Sequence, residues 1–134
     1  MKQKFSTKWK ASKQVRKQRK YRANAPLHLR HKLISANLSK DLRKRYSRRS
    51  FPLRKNDTVK VMRGKFRGKS GKINKVDLKK LKVSIEGLQI QKKDGTKIQS
   101  WFVPSNLQIQ ELILDDKERK IQENKQEKNV SEKK

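Results

Sequence analysis

Glycine recurs at positions 64, 68 and 71, and Arg63, Lys65, Arg67, Lys69 and Lys72 fill the spaces around them. Glycine admits positive φ and lets a backbone come close to another molecule. Five cations with no acid among them repel one another unless an anion lies nearby. The chemistry on offer is the binding of a polyanion, through both the cations and the backbone of Gly64, Gly68 and Gly71. A hairpin loop with solvated lysines is the plainer alternative, but it gives no reason for five cations without an acid. Ahead of the loop Val59 and Val61 alternate with Lys60, and alternation resumes at Ile73. That period of two marks half-buried strand on both sides.

Other reactive groups do not assemble. His28 and His31 stand three apart on a helix-forming stretch, the spacing of half a metal site. Such a site needs further ligands, and the chain has no cysteine and no carboxylate cluster nearby. Two imidazoles that donate to phosphate or stack on bases fit better. Ser35, Ser39 and Ser47 have no base and orienting partner in evident reach, as a nucleophile would need. The run Gly64-x-x-x-Gly68-Lys69-Ser70 is one residue short of a nucleotide-binding loop. The acids are few and set among lysines, so no acid–base pair is expected. No catalytic residue, metal, cofactor or small-molecule substrate follows.

Charge extends the phosphate reading well beyond the loop. Residues 1–55 hold 20 Lys and Arg against the single acid Asp41; residues 56–115 hold 13 against 6, and residues 116–134 hold 7 against 5. The first segment should repel itself and order only against a polyanion. Its candidate contacts are Arg16, Lys17, Arg19, Lys20 and Arg22, then His28, Arg30, His31 and Lys32, then Arg43, Arg45, Arg48 and Arg49. Arginine adds a planar fork that matches phosphate in two places. Phe5, Trp9 and Tyr21 are expected either to stack on unpaired bases, at about 1–3 kcal/mol each, or to pack on the protein. No apolar run approaches the 18 residues of a membrane span, no signal-peptide core opens the chain, and no continuous apolar face suits a membrane-surface helix. Nucleic acid is left as the partner. The lack of cysteine rules out a disulfide framework and suits an intracellular protein.

These groups must be carried by definable elements. Pro26 suits the first residue of a helix, expected to run to about Ala36. Its apolar residues form two opposed stripes, Leu29/Leu33/Ala36 and Leu27/Ile34, as for a helix held between two surfaces. Ser39 is a candidate N-cap for a second helix over 40–46. Strands are expected over 58–63, 72–77, 80–86, 88–92, 97–103 and 107–111, with Asp94-Gly95 as a hairpin turn. So many short strands predict a small closed or nearly closed barrel. Its core is expected from Val59, Val61, Ile73, Val76, Val83, Ile85, Val103 and Ile109. A last helix is expected over 115–125, and residues 126–134 read as disordered.

Asp57-x-Val59-x-Val61-x-x-Gly64-x-x-x-Gly68-x-x-Gly71-Lys72-Ile73 resembles the KOW motif. Its flanks narrow the resemblance: Asn24-Ala-Pro-Leu-His-Leu-Arg-His-Lys-Leu33 and Leu38-Ser-Lys-Asp-Leu-Arg-Lys-Arg-Tyr46 upstream, Glu86-Gly87, Lys93-Asp-Gly-Thr96 and Pro104-Ser-Asn106 downstream. In this order, over residues 12–121, they are similar to the archaeal and eukaryotic family of large-subunit ribosomal protein 24. Gly68-Lys-Ser-Gly71 lacks an extra residue of eukaryotic members, so the resemblance is nearer to the archaeal branch. Asn56 stands where the family has glycine, and asparagine tolerates the left-handed region.

The resemblance implies a mainly β fold, an SH3-like barrel over 54–114. A basic, partly helical arm over 1–53 precedes it and a helix and tail over 115–134 follow. It implies a structural protein of the cytoplasmic ribosome that binds the 5′ domain of large-subunit rRNA and acts early in assembly. The site implied is near the nascent-chain tunnel exit, with neighbouring ribosomal proteins and tunnel-exit factors as further partners. At Gly71 either positive φ or close contact with RNA backbone is then expected. A KOW-containing transcription elongation factor is one alternative, but residues 1–53 are too charged to be the globular domain that grips polymerase. A DNA-compacting chromatin protein is the other; charge permits it, the flanking landmarks do not point to it.

Overall fold

The computed structural model describes residues 5–116 and Arg119. A 3-10 helix, Thr7–Ala11, precedes α1 (Val15–Asn24), α2 (Leu27–Leu33) and, after a strand, α3 (Lys40–Tyr46). Local hydrogen bonds hold the first two together. The Gln18 amide donates to the carbonyls of Ser12 at 2.6 Å and Lys10 at 3.2 Å. Arg30 Nε and Nη2 donate to the carbonyls of Ala25 and Ala23, each at 2.8 Å, satisfying groups that the end of α1 leaves unpaired. Charge alone predicts an expanded arm; these bonds organise it as helix. The Phe5 and Tyr21 rings pack on each other with centroids 5.0 Å apart, and Tyr21 is buried, so that pair is not presented for stacking on bases. Ser39 caps α3, its hydroxyl accepting from the Leu42 N–H at 3.3 Å.

Seven strands form one sheet in the order β2-β1-β7-β3-β4-β5-β6. They are β1 (Ser35–Leu38), β2 (Ser50–Pro52), β3 (Thr58–Val61), β4 (Ser70–Asp77), β5 (Lys82–Gln91), β6 (Lys97–Phe102) and β7 (Leu107–Glu111). All neighbours are antiparallel except β1 and β7. The fold is mainly β, with the barrel left open between its edges β2 and β6. The expected helix over 26–36 stops at Leu33. Ile34, Ala36 and Leu38 are buried in alternation instead, as a strand requires. The two strands expected over 80–86 and 88–92 are one, β5, whose pairing with β6 shifts register between Ser84 and Gln89. Gly87, at φ 76°, lies in that irregular stretch. The Asp94-Gly95 turn forms as expected, with Gly95 at φ 86°. The hydroxyl and then the N–H of Thr96 bond to Asp94 and hold its carboxyl below the usual carboxylate range.

The core comprises Ile34, Leu38, Val59, Val61, Ile73, Val83, Ile85, Leu107 and Ile109, all essentially without exposure. Val76 packs against it half-buried. Val103, expected inside, is 44% exposed, because β6 ends at Phe102 and a 3-10 turn begins at Pro104. Asn56 does take the left-handed region, at φ 71°. Asp57 after it is fully buried and forms a two-point pair with Arg119 at 2.7 and 2.5 Å. The same carboxylate accepts the N–H of Arg54 at 2.8 Å and of Ile113 at 3.3 Å. Arg119 further donates to the carbonyls of Ile113 and Pro52 and lies over the Phe51 ring. One buried pair thus ties the end of the described chain to the β2–β3 connection. Of the helix expected over 115–125, only Asp115, Asp116 and Arg119 are described; the rest, and the tail over 126–134, lie outside the described residues.

Candidate nucleic-acid interface

The basic loop between β3 and β4 is closed by its own backbone. The Val61 N–H donates to the Lys69 carbonyl and the Gly68 N–H to the Val61 carbonyl, both at 2.8 Å. Within it the Arg67 N–H reaches the Gly64 carbonyl at 3.0 Å. Gly64 at φ 91° and Gly68 at φ 87° supply the left-handed conformations the path requires. A side chain anchors the loop as well: Phe66 is half-buried, packs on the core, and meets Phe102 edge-on with centroids 5.7 Å apart. Arg63, Lys65, Arg67 and Lys69 are left exposed on a rigid turn, and Lys72 is exposed on β4. The Lys69 ammonium lies 5.6 Å from the centre of the Phe66 ring.

Of the two expectations for Gly71, positive φ is not met: its φ is outside the left-handed region. A Cβ there would stand 2.8 Å from Ile85 Cγ2 and 3.0 Å from the Glu86 carbonyl oxygen. Within the protein the glycine is needed because β5, the antiparallel neighbour of β4, packs against this position too closely for a Cβ.

Five of the ten residues of α1 are cationic, and none is acidic. Arg16, Lys17, Arg19, Lys20 and Arg22 are all exposed. Like charges three and four apart destabilise a helix by a few tenths of a kcal/mol per pair, so α1 gains from a nearby polyanion. Lys20 lies over the Trp9 ring, 5.1 Å from its centre. Arg19 and Arg22 do not stand alone. A groove of about 430 Å³ sets them opposite Lys79 and Lys80 of the β4–β5 turn, with Leu81 and Val103 along it. The turn is shaped by Asp77, whose carboxylate accepts the N–H of Lys79 and of Lys80 at 2.9 Å. Those bonds, Lys80 first, hold its carboxyl below the usual carboxylate range. Lys79 and Lys80 escaped the sequence reading; the signal was a lysine pair just after an aspartate at a strand end.

The remaining candidates divide. His28, His31 and Lys32 on α2 are exposed, as are Arg45, Arg48 and Arg49. Arg45 lies over the Tyr46 ring. Arg30 is committed to capping α1, and Arg43 Nε donates to the Leu38 carbonyl at 2.9 Å. These two forks serve the fold first. No motif marks such a use; it depends on which carbonyls end nearby. The arrangement as a whole offers fixed cations to an extended anion.

Comparison with known proteins identifies the family. A family profile that describes the ribosomal proteins called L26 in eukaryotes, together with their archaeal L24 counterparts, matches residues 12–125. The large ribosomal subunit protein uL24 of Methanosphaera stadtmanae is 51% identical over 108 residues, covering 81% of this chain and 92% of that protein. The protein of the same name from Methanothrix thermoacetophila is 49% identical over 108 residues, covering 81% and 93%. Both are archaeal, in line with the short Gly68–Gly71 interval. The chain therefore belongs to the ribosomal protein family of eukaryotic L26 and archaeal L24, structural proteins of the large ribosomal subunit and not enzymes.

Proposed function

We propose that this protein binds large-subunit rRNA and stabilises its folded form early in subunit assembly, in a position near the nascent-chain tunnel exit. The observation that carries the binding is the rigid loop of residues 63–69, with its cations exposed around an anchored Phe66. Arg63, Lys65, Arg67, Lys69 and Lys72 neutralise one stretch of phosphates. Arg16, Lys17, Arg19, Lys20 and Arg22 neutralise another, with Lys79 and Lys80 across the groove. His28, His31, Lys32, Arg45, Arg48 and Arg49 extend the contact, and Gly64 and Gly68 let RNA backbone approach. Phosphate contacts position a protein without reading sequence, so shape and the 2′-hydroxyl set most of the preference for RNA.

The assembly role and the tunnel-exit position are the part of the proposal that the family resemblance alone supports. The β5–β6 hairpin supports protein neighbours besides RNA: its cross-strand pair Ile90 and Ile98 is 45% and 42% exposed. Binding of the full chain to a large-subunit rRNA transcript over a salt series tests the proposal. Tight binding with log K falling steeply against log salt is expected, as is co-sedimentation with large subunits. Equal preference for duplex DNA, or absence from the large-subunit fraction, would overturn it.

A further inference from the structure

Strand β4 breaks its own rhythm at Asn74. Ile73 pairs with Ile85 and Lys75 with Ser84, and the register shifts between them. Asn74 and Lys75 are exposed in succession before Val76 returns to the core side. An extra residue of this kind bends a strand and re-aims a side chain. Asparagine is disfavoured in strands, and here its amide has no hydrogen-bond partner among the described residues. Asn74 lines a cleft of about 490 Å³ together with His31 of α2, Leu53, Lys55, Lys75 and Val76. Arg54, which also lines it, is exposed but paired with Asp116, whereas Lys55 and Lys75 are exposed with no ion pair among the described residues.

The cleft has the size of sites that enclose a small organic group, about 300–1,000 Å³. Its walls combine apolar surface, an imidazole, and an amide that offers a donor and an acceptor side by side. Phosphate alone has no use for such walls. We propose that this cleft receives one unstacked nucleobase of the bound RNA. The His31 imidazole lies on its face, the Asn74 amide meets its hydrogen-bonding edge, and Lys55 and Lys75 meet the adjoining phosphates. Splayed bases of single-stranded loops are read this way, by stacking and by their edges. The inference rests on the rRNA-binding reading above. It adds one point of base recognition to an interface otherwise made of phosphate contacts.

The test compares the full chain with Asn74→Ala, His31→Ala and Lys75→Ala for binding to the large-subunit rRNA transcript at several salt concentrations. Nucleotide mobility is probed chemically in each complex. Asn74 and His31 are exposed and sit on separate elements, so each variant keeps its melting curve. Asn74→Ala is expected to weaken binding about tenfold, as for one base-edge contact, with the salt slope unchanged because the amide is neutral. His31→Ala should do the same, and in both variants the same single nucleotide should become mobile. Lys75→Ala should lower the slope by just under one unit. If the wild type binds but Asn74→Ala and His31→Ala bind as tightly, the cleft holds no base and the bulge only keeps Lys75 out of the core. If the wild type fails to bind rRNA, the broader reading falls with it.

Discussion

From Val15 to Leu33 the chain buries only Tyr21 and Ala25, whereas β3, β4, β5 and β7 contribute Val59, Val61, Ile73, Val83, Ile85 and Ile109 with no exposure. In the helical region even apolar residues face outward, Leu27 at 62% among them. Its order comes from short-range hydrogen bonds and from capping by Arg30. The sheet closes on apolar surface that water would otherwise cover, at about 25 cal/mol per Å² buried. One region is stable by what it packs; the other carries charge that an RNA partner would relieve. Removing parts of each should therefore have opposite consequences for stability and for binding.

The largest expected effect is on binding. Deletion of residues 1–25 removes ten Lys and Arg. The salt slope of rRNA binding should fall by several units, and affinity at moderate salt by a factor on the order of a thousand. Urea unfolding of the sheet should move little, since among the described residues only Tyr21 and Ala25 are buried in the deleted stretch. An unchanged plot of log K against log salt would show that the arm is solvated in the complex, and the contrast would collapse.

Next comes the pair that ties the described chain end to the sheet. Arg119→Ala leaves the buried Asp57 carboxylate facing two backbone N–H groups with no counter-charge. Breaking a buried ion pair from one side costs about 3–5 kcal/mol. Chemical denaturation should show that loss, with the salt slope of the folded variant intact. A change below about 1 kcal/mol would mean that the pair is solvated and the segment around Arg119 contributes little.

The loop of residues 63–72 holds both behaviours side by side. Gly71→Val drives a side chain into Ile85 and the Glu86 carbonyl, and overpacking of this kind costs about 1–3 kcal/mol. Lys69→Ala should leave thermal unfolding within about 0.5 kcal/mol and lower the binding slope by just under one unit. If Lys69→Ala melted the sheet, or Gly71→Val left stability untouched, fold-forming and RNA-facing positions would not divide as drawn. The smallest effect is at the β5–β6 turn. Bonds from Thr96 lower the Asp94 carboxyl, so their stabilisation is present above the ordinary carboxylate range and fades as pH falls below it. The protection of the Thr96 amide, measured as its exchange relative to the intrinsic rate at each pH, should fall in acid while that of Val59 and Ile109 does not; a uniform loss of protection across the sheet would argue against a local cause.

Several features were legible without coordinates because they depend on near neighbours in the chain. The Asp94-Gly95 turn, the Ser39 cap, the left-handed Asn56 and the alternations in β3, β5 and β7 are of this kind. So was the phosphate-binding character, since uncompensated charge is a property of composition. The alternation Ile34, Ala36, Leu38 was equally present, yet a helix running on from Pro26 looked as good. A parallel partner in β7, about seventy residues away, decides in favour of strand. Distance along the chain likewise hid the Asp57–Arg119 pair and the meeting of Arg19 and Arg22 with Lys79 and Lys80. Gly71 is the sharpest instance: its spacing marked it as necessary, and only the close approach of Ile85 and Glu86 on β5 shows an internal reason. Periodicity reports which face of an element is apolar. Which surface covers that face, and which carbonyl an arginine finds, are settled by packing between residues the chain itself keeps far apart.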